Sequence, residues 1–220
     1  GTEGATAVSV NLLQGASDVD TGDVLSVSNV TVSIGATVYA IHPWLTVNGS
    51  GVAQLVVTDP IFDHLNVGQT EDVVVTYDIV DTNGGSITQT ATITVTGTND
   101  APVATVGSIS ATEDQISSGS FGDFVNPVDD GSTLTYTLLS AAPDGFSLAS
   151  DGNWQMDASG VGYQGLDDGE TQTVNLLYSA VDEFGSTTSG VVTLTIHGQN
   201  DAPVVSGPVT LTPVDEDTTI

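Results

Sequence analysis

Lysine and arginine are missing from all 220 residues, whereas aspartate and glutamate number 28, giving a formal charge of −28. A nucleic-acid partner is excluded, because affinity for phosphate backbones comes from basic side chains. A Walker-type phosphate cradle needs its lysine, and a hold on anionic lipid needs a basic cluster; both are excluded too. The same absence constrains folding. No carboxylate can pair with Lys or Arg, so each must stay in water, accept N–H donors or hold a cation. Clustered carboxylates repel one another and oppose compaction, and a bound metal ion would add directly to folding free energy. Composition therefore predicts a cation-dependent protein.

Cysteine is also absent, which excludes a disulfide framework and thiol chemistry. The apolar runs are far shorter than a bilayer span, so no membrane insertion is expected. No signal-peptide pattern opens the chain, so we expect a processed chain, export without an N-terminal signal, or a piece of a larger protein. Aromatic residues make up only 5%. The histidines, His42, His64 and His197, show no zincin spacing, and there is no Gly-x-Ser-x-Gly elbow. Paired carboxylates could in principle hydrolyse glycosides. Here they lie in repeated loops and linkers, which suits shared structural sites better than one cleft, so no enzymatic activity is expected. Disorder is a poor reading: only 13% of residues are charged, 39% are hydrophobic, and the β-branched residues alternate.

What is present is a repeat. Gly97-Thr98-Asn99-Asp100-Ala101-Pro102-Val103 returns as Gly198-Gln199-Asn200-Asp201-Ala202-Pro203-Val204, an offset of 101 residues. The same offset relates Leu65 to Leu166, Tyr77 to Tyr178 and Asp81 to Asp182, and reaches back to Gly51 and Gly152. Upstream, Asp20 aligns with Asp129 at an offset of 109, so the first copy carries about eight extra residues within 30–44. Val73, Val75, Tyr77 and Ile79 alternate with polar or smaller neighbours, as do Val174, Leu176, Tyr178 and Ala180. Residues 87–96 and 187–196 are rich in Thr, Val and Ile at period two, the pattern of half-buried strands. Asn83-Gly84-Gly85 and Phe184-Gly185-Ser186 mark tight turns between them. No stretch has a helical period. The expectation is an all-β chain of two β-sandwich domains, residues 1–100 and 101–201, followed by 202–220 as the start of a further repeat or a C-terminal tail. Pro102 and Pro203 favour extended linkers and an end-to-end arrangement.

The carboxylates gather in register. Glu3 opens copy one, and Glu113-Asp114 open copy two. Asp18-Val19-Asp20-Thr21-Gly22-Asp23 and Asp129-Asp130-Gly131 fill the first inter-strand loop; Asp81 and Asp182-Glu183 occupy the last hairpin; Asn99-Asp100 and Asn200-Asp201 occupy the linkers. Calcium takes about six to eight oxygens from such groups. The alternative, solvated acidic loops, is weakened by the recurrence and by the missing basic residues.

The segment "TITVTGTNDAPV" after "VTYDIVDTNGG" resembles the closing part of VCBS and cadherin-like repeats, found in bacterial adhesins exported by type I secretion. The two-copy acidic chain also resembles the Rhizobium-adhering proteins. These resemblances imply cadherin-like, Ig-like Greek-key sandwiches. They also imply an extracellular or cell-surface location, calcium as cofactor, and bacterial exopolysaccharide or capsular polysaccharide and neighbouring repeats as partners. Carried over residue by residue, calcium would sit between successive domains. Glu3, Asn99 and Asp100, with Glu71 as a further candidate, would meet Asp129, Asp130 and Asp182 at the complete junction. Asp18, Asp20 and Asp81 would form a half-site at one end, and Glu113, Glu170, Asn200 and Asp201 one at the other. Glu170 aligns with Gln69, and Glu71 with Gln172, so the ligand at the base of the domain differs between the copies. Tyr39, His42 and Trp44, near the end of the extra segment, are candidates for a sugar contact; the alternative is a hairpin packed on its own domain. The functional expectation is a calcium-dependent, polysaccharide-binding adhesin module, or else calcium-stiffened spacer repeats without a ligand of their own.

Overall fold

The computed structural model describes residues 1–40, 43–203, 205, 207–208 and 210. Copy one contains β1 (Val8–Asn11), β2 (Ser26–Ile34), β3 (Thr37–Tyr39), β4 (Leu45–Val47), β5 (Val52–Leu55), β6 (Thr70–Val80) and β7 (Ser86–Thr96). Two antiparallel sheets result, ordered β1-β5-β4 and β3-β2-β6-β7. Copy two contains β8 (Val103–Ala104), β9 (Gly107–Thr112), β10 (Ile116–Ser120), β11 (Val125–Asn126), β12 (Thr135–Leu138), β13 (Phe146–Leu148), β14 (Asn153–Asp157), β15 (Thr171–Val181) and β16 (Thr187–His197). Its main sheets are ordered β10-β14-β13 and β12-β15-β16-β9. The chain is thus all-β, two tandem Ig-like sandwiches, with a single 3-10 turn at Phe121–Phe124 among the described residues.

Period-two alternation builds each core. On β6, Val73, Val75 and Tyr77 point inward, and on β15, Leu176, Tyr178 and Ala180 do the same. One hydrophobic cluster draws on residues between Leu12 and Val95, a second on residues between Ala111 and Ile196. In both copies a long hairpin (β6/β7, β15/β16) forms the spine.

Registers expose where the copies differ. Ser26 pairs Val80 on β2/β6, and Thr135 pairs Val181 on β12/β15. The extra residues of copy one extend β2 beyond a bulge between Ser28 and Thr31 and fold it back as β3. Trp44, just after this extension, is 1% exposed and packs edge-on against Phe62 and Tyr39. The structure therefore corrects the sugar-contact expectation for Trp44: an indole this deeply seated in the core has no face to offer a ring of sugar. Tyr39 is half-buried against it, and His42 lies outside the described residues.

Candidate metal centre at the junction between the copies

The linker is seated by glycine. A Cβ on Gly97 would lie 2.2 Å from the Leu65 carbonyl oxygen and 2.6 Å from that of Asn66, so only glycine permits this approach. Gly198 abuts the Leu166 and Asp167 carbonyls in the same way. Gly97 N also donates to the Gln69 carbonyl, and Gly198 N to that of Glu170. The chain leaving each spine hairpin is thereby pressed against the loop before β6 or β15, and Asn99-Asp100 emerge next to that loop.

Three carboxylates converge there. Glu3, Asp63 and Asp100 each bring an oxygen within 4.8 Å of the others. Glu3 is only 6% exposed; its Oε2 accepts the Thr98 N–H at 3.0 Å, and its Oε1 is buried without a donor. Asp100 Oδ2 is likewise buried and without a donor. From copy two, Asp129, 1% exposed, accepts the Asp100 N–H on Oδ2 at 3.0 Å, and its Oδ1 is buried and unpartnered. Asn99 Nδ2 donates to Asp182 Oδ2 at 3.0 Å and to Ser186 Oγ at 2.7 Å, leaving Asn99 Oδ1 buried with no donor. Asp182, 5% exposed, is held by N–H groups of Phe184 and Ser186 on Oδ1.

Buried oxygens facing one another without donors are costly unless protonated or metal-bound. Electrostatics shows the strain. Burial pushes the Glu3 carboxyl up to about 7, against the Thr98 N–H, with the Asp100 and Asp63 carboxylates adding to the rise. Asp63 is raised by burial and by Asp100 and Asp59. Asp129 is raised by burial, opposed by the Asp100 N–H, with Asp100, Asp182 and Glu183 adding to the rise. The donor set is all oxygen, carboxylates plus one amide carbonyl, which suits a hard cation such as calcium.

Around this cluster the copies clasp one another. Asp130 N donates to the His64 carbonyl at 2.8 Å. Glu183 Oε1 accepts from Asn66 Nδ2 at 3.1 Å, while Oε2 accepts from Ser132 Oγ and Thr133 N at 2.8 Å each. Its own backbone N–H and these donors hold the Glu183 carboxyl down at about 2.

The sequence candidates separate accordingly. Glu3, Asn99, Asp100, Asp129 and Asp182 meet at the junction. Asp130 is exposed and contributes a backbone N–H to the clasp. Asp18 and Asp20 do gather at the far end, together with Asp23. Asp81 Oδ1 there accepts the N–H groups of Asn83 and Gly85, which hold its carboxyl low. Glu113, fully buried, repeats Glu3: Oε2 accepts the Gln199 N–H at 2.9 Å and Oε1 has no donor. Asn200 and Asp201 are exposed. Glu170 is exposed and accepts the Asp167 N–H at 3.2 Å, as Gln69 accepts that of Asn66 at 3.1 Å. The Gln/Glu exchange thus keeps a loop-closing bond. Glu71 Oε2 lies 3.6 Å from His64 Nε2 and is buried without a hydrogen-bond donor.

Asp63 has no acidic counterpart in copy two, where Gln164 occupies its place, so recurrence in register does not mark it. Its visible signal was local: Asp59 and Asp63 bracket Ile61-Phe62 just before Leu65, the residue that meets Gly97.

Comparison with family models agrees with this architecture for the second copy. The family model described as "Bacterial Ig domain" matches residues 99–195. No curated protein matches the chain. Among solved structures, the human desmocollin-1 ectodomain is 14% identical with a TM-score of 0.49, the match covering 89% of this chain and 38% of that one. Protocadherin gamma B2 extracellular cadherin domains 1–5 show 17% identity and a TM-score of 0.42, covering 99% and 42%. Mouse cadherin-23 EC22–24 shows 16% and 0.40, covering 78% and 53%. The chain therefore spans 38–53% of the length of these structures. No helix among the described residues is long and apolar enough to cross a membrane.

Proposed function

We propose that this chain is a calcium-dependent repeat module of an extracellular adhesin, with calcium held at the junction between its two copies. The observation that carries this reading is the convergence of Glu3, Asp63 and Asp100, beside which the Asp100 N–H ties Asp129; three of these four carboxylates bury a donorless oxygen, in a chain without Lys or Arg. Glu3, Asp63, Asp100 and Asp129 would hold the ion, with the Asn99 amide oxygen and the Asp182 carboxylate beside them. The bound ion supplies the positive charge the chain lacks. The chain's own residues do the rest: Asn99 and Asp100 tie the linker to copy two, and Glu183 clasps copy one.

Bacterial exopolysaccharide or capsular polysaccharide is the proposed partner, reached through calcium, because a chain of charge −28 repels acidic glycans otherwise. One observation favours the second reading, a stiffened spacer: Trp44 and Trp154 are both buried, 1% and 6% exposed, so neither indole is a stacking surface for sugar. Isothermal titration with calcium and with magnesium tests the metal site; no calcium-specific heat would remove it. A glycan array run in calcium and in EGTA separates the two readings. Calcium-dependent retention of acidic polysaccharide supports adhesion, and no retention under either condition supports the spacer.

A further inference from the structure

The loops before β6 and β15 hold the same place in the two copies, yet they differ in charge. Copy one has Asn66, Val67 and Gln69 where copy two has Asp167, Asp168 and Glu170, three exposed carboxylates. The local fold does not demand the change. Asn66 N donates to Gln69 Oε1 at 3.1 Å and Asp167 N to Glu170 Oε2 at 3.2 Å, so both loops close by the same bond. The copy-one loop, however, faces the hairpin end of copy two. Asn66 Nδ2 donates to Glu183 Oε1 at 3.1 Å, and the nearby His64 carbonyl accepts Asp130 N at 2.8 Å.

Glu183 is a fixed acceptor. Its Oε2 takes Ser132 Oγ and Thr133 N at 2.8 Å each, with Thr133 Oγ1 at 3.4 Å. Its own N–H, the Thr133 N–H and the Asn66 amide keep it ionised at neutral pH, with the carboxyl held at about 2. A carboxylate anchored in this way favours a donor opposite it and repels a second carboxylate. Asn66 supplies the donor. An aspartate at that place, as copy two has in Asp167, would set like charges against each other.

Copy one builds its own hairpin end the other way round. By register, Thr82 stands at the place of Glu183 and Asp23 at the place of Ser132. Thr82 Oγ1 donates to Asp23 Oδ1 at 2.8 Å, and Asn83 Nδ2 reaches both Asp23 oxygens at 2.9 Å. There the hairpin carries the donors and the loop carries the acid. One chain thus holds two kinds of hairpin end and two kinds of loop.

We propose that Asn66 and Glu183 are a recognition pair that matches the loop of copy one to the hairpin end of copy two, and that the acidic loop of copy two, Asp167, Asp168 and Glu170, fits a different partner: a β-sandwich whose last hairpin carries an amide or hydroxyl donor at the position of Glu183. A hairpin end like that of copy two is rejected by this loop, because carboxylates would meet there. The inference rests on the repeat-module reading above, in that such modules meet end to end; it does not use the metal.

A polarity swap within the 220-residue chain tests this. Asn66→Asp puts the residue of the copy-two loop at the internal junction and keeps an acceptor for Val67 N. Glu183→Gln supplies the donor that an aspartate at position 66 would select. The chain has no cysteine, so spin labels on Thr90→Cys and Thr173→Cys, both exposed, report the distance between the copies. Pulsed electron resonance in EGTA compares the parent, each single variant and the double variant. The parent should give a narrow distance distribution. Asn66→Asp should broaden it, lowering the ratio of docked to undocked chains by about five- to tenfold at low salt, and the broadening should shrink at high salt. The double variant should narrow it again, because amide and carboxylate have exchanged places. A parent already broad in EGTA, an Asn66→Asp chain as narrow as the parent, or a double variant as broad as Asn66→Asp overturns the proposal. Calcium titration of the same chains separates the two readings. If the swap behaves as expected and no chain binds calcium, the recognition pair stands and the metal reading fails. If all the chains are equally broad in EGTA and calcium narrows them alike, the pair fails and the metal reading stands.

Discussion

The backbone N–H of Asp100 donates to the Asp129 carboxylate at 3.0 Å, across the boundary between the two copies. One oxygen of Asp129 is thereby satisfied by the linker, and the other faces the junction with no donor. Asp129→Asn keeps an acceptor for the Asp100 N–H and replaces a carboxylate oxygen with an amide group. Calcium at ~100 times its Kd stabilises by about 2.7 kcal/mol, a rise of roughly 11–22 °C in a domain of about 100 residues. We expect the parent chain to show that rise and Asp129→Asn to lose most of it, with metal-free stability unchanged or improved. Thermal scans in EGTA and in millimolar calcium measure both quantities.

Glu3 carries the pH dependence of the metal-free protein. Its carboxyl is raised from an ordinary 4.5 to about 7 by burial, so the folded chain holds a proton that the unfolded chain releases. That contribution is complete below about 4.5 and is lost as pH rises through about 7. Asp63 and Asp129 shift in the same direction. Urea midpoints in metal-free buffer should fall between pH 5 and pH 7.5. Saturating calcium should flatten or reverse this slope, because the ion binds the ionised form. Titration at pH 6.5 should show proton release, read as a binding enthalpy that varies with the buffer.

Glu170→Gln should change almost nothing, within about 0.5 kcal/mol. Gln69 already makes the equivalent loop bond in copy one. Calorimetry of calcium binding and a denaturant melt on this variant check the point. A large loss of calcium affinity would assign Glu170 to a metal site.

Trp44→Ala should destabilise copy one by about 3–5 kcal/mol, since the indole is 1% exposed against Phe62. Two-step unfolding, copy one first, should appear in a denaturant melt followed by tyrosine and tryptophan fluorescence. Trp44→Phe should recover part of the loss. Any effect on glycan retention should track folding.

Much of this was legible from the sequence, for a physical reason. Alternating β-branched residues specify strands because side chains on a strand alternate in face, and Val73, Val75 and Tyr77 are buried as that period requires. Glu3, Asn99, Asp100, Asp129 and Asp182 could be named because they recur at fixed offsets, and a repeat places equivalent residues at equivalent ends. The missing Lys and Arg determined that buried carboxylates have no basic partner. Tertiary structure decided what repetition cannot encode. Asp63 joins the cluster, although Gln164 replaces it in copy two, because the Gly97 contact presses the linker onto its loop. Glu71 lies 3.6 Å from His64 with a buried, donorless oxygen, and Trp44 becomes core because the β2/β3 extension folds over it. Which oxygens lack a donor depends on the position of every nearby N–H, and only the packed chain sets those positions.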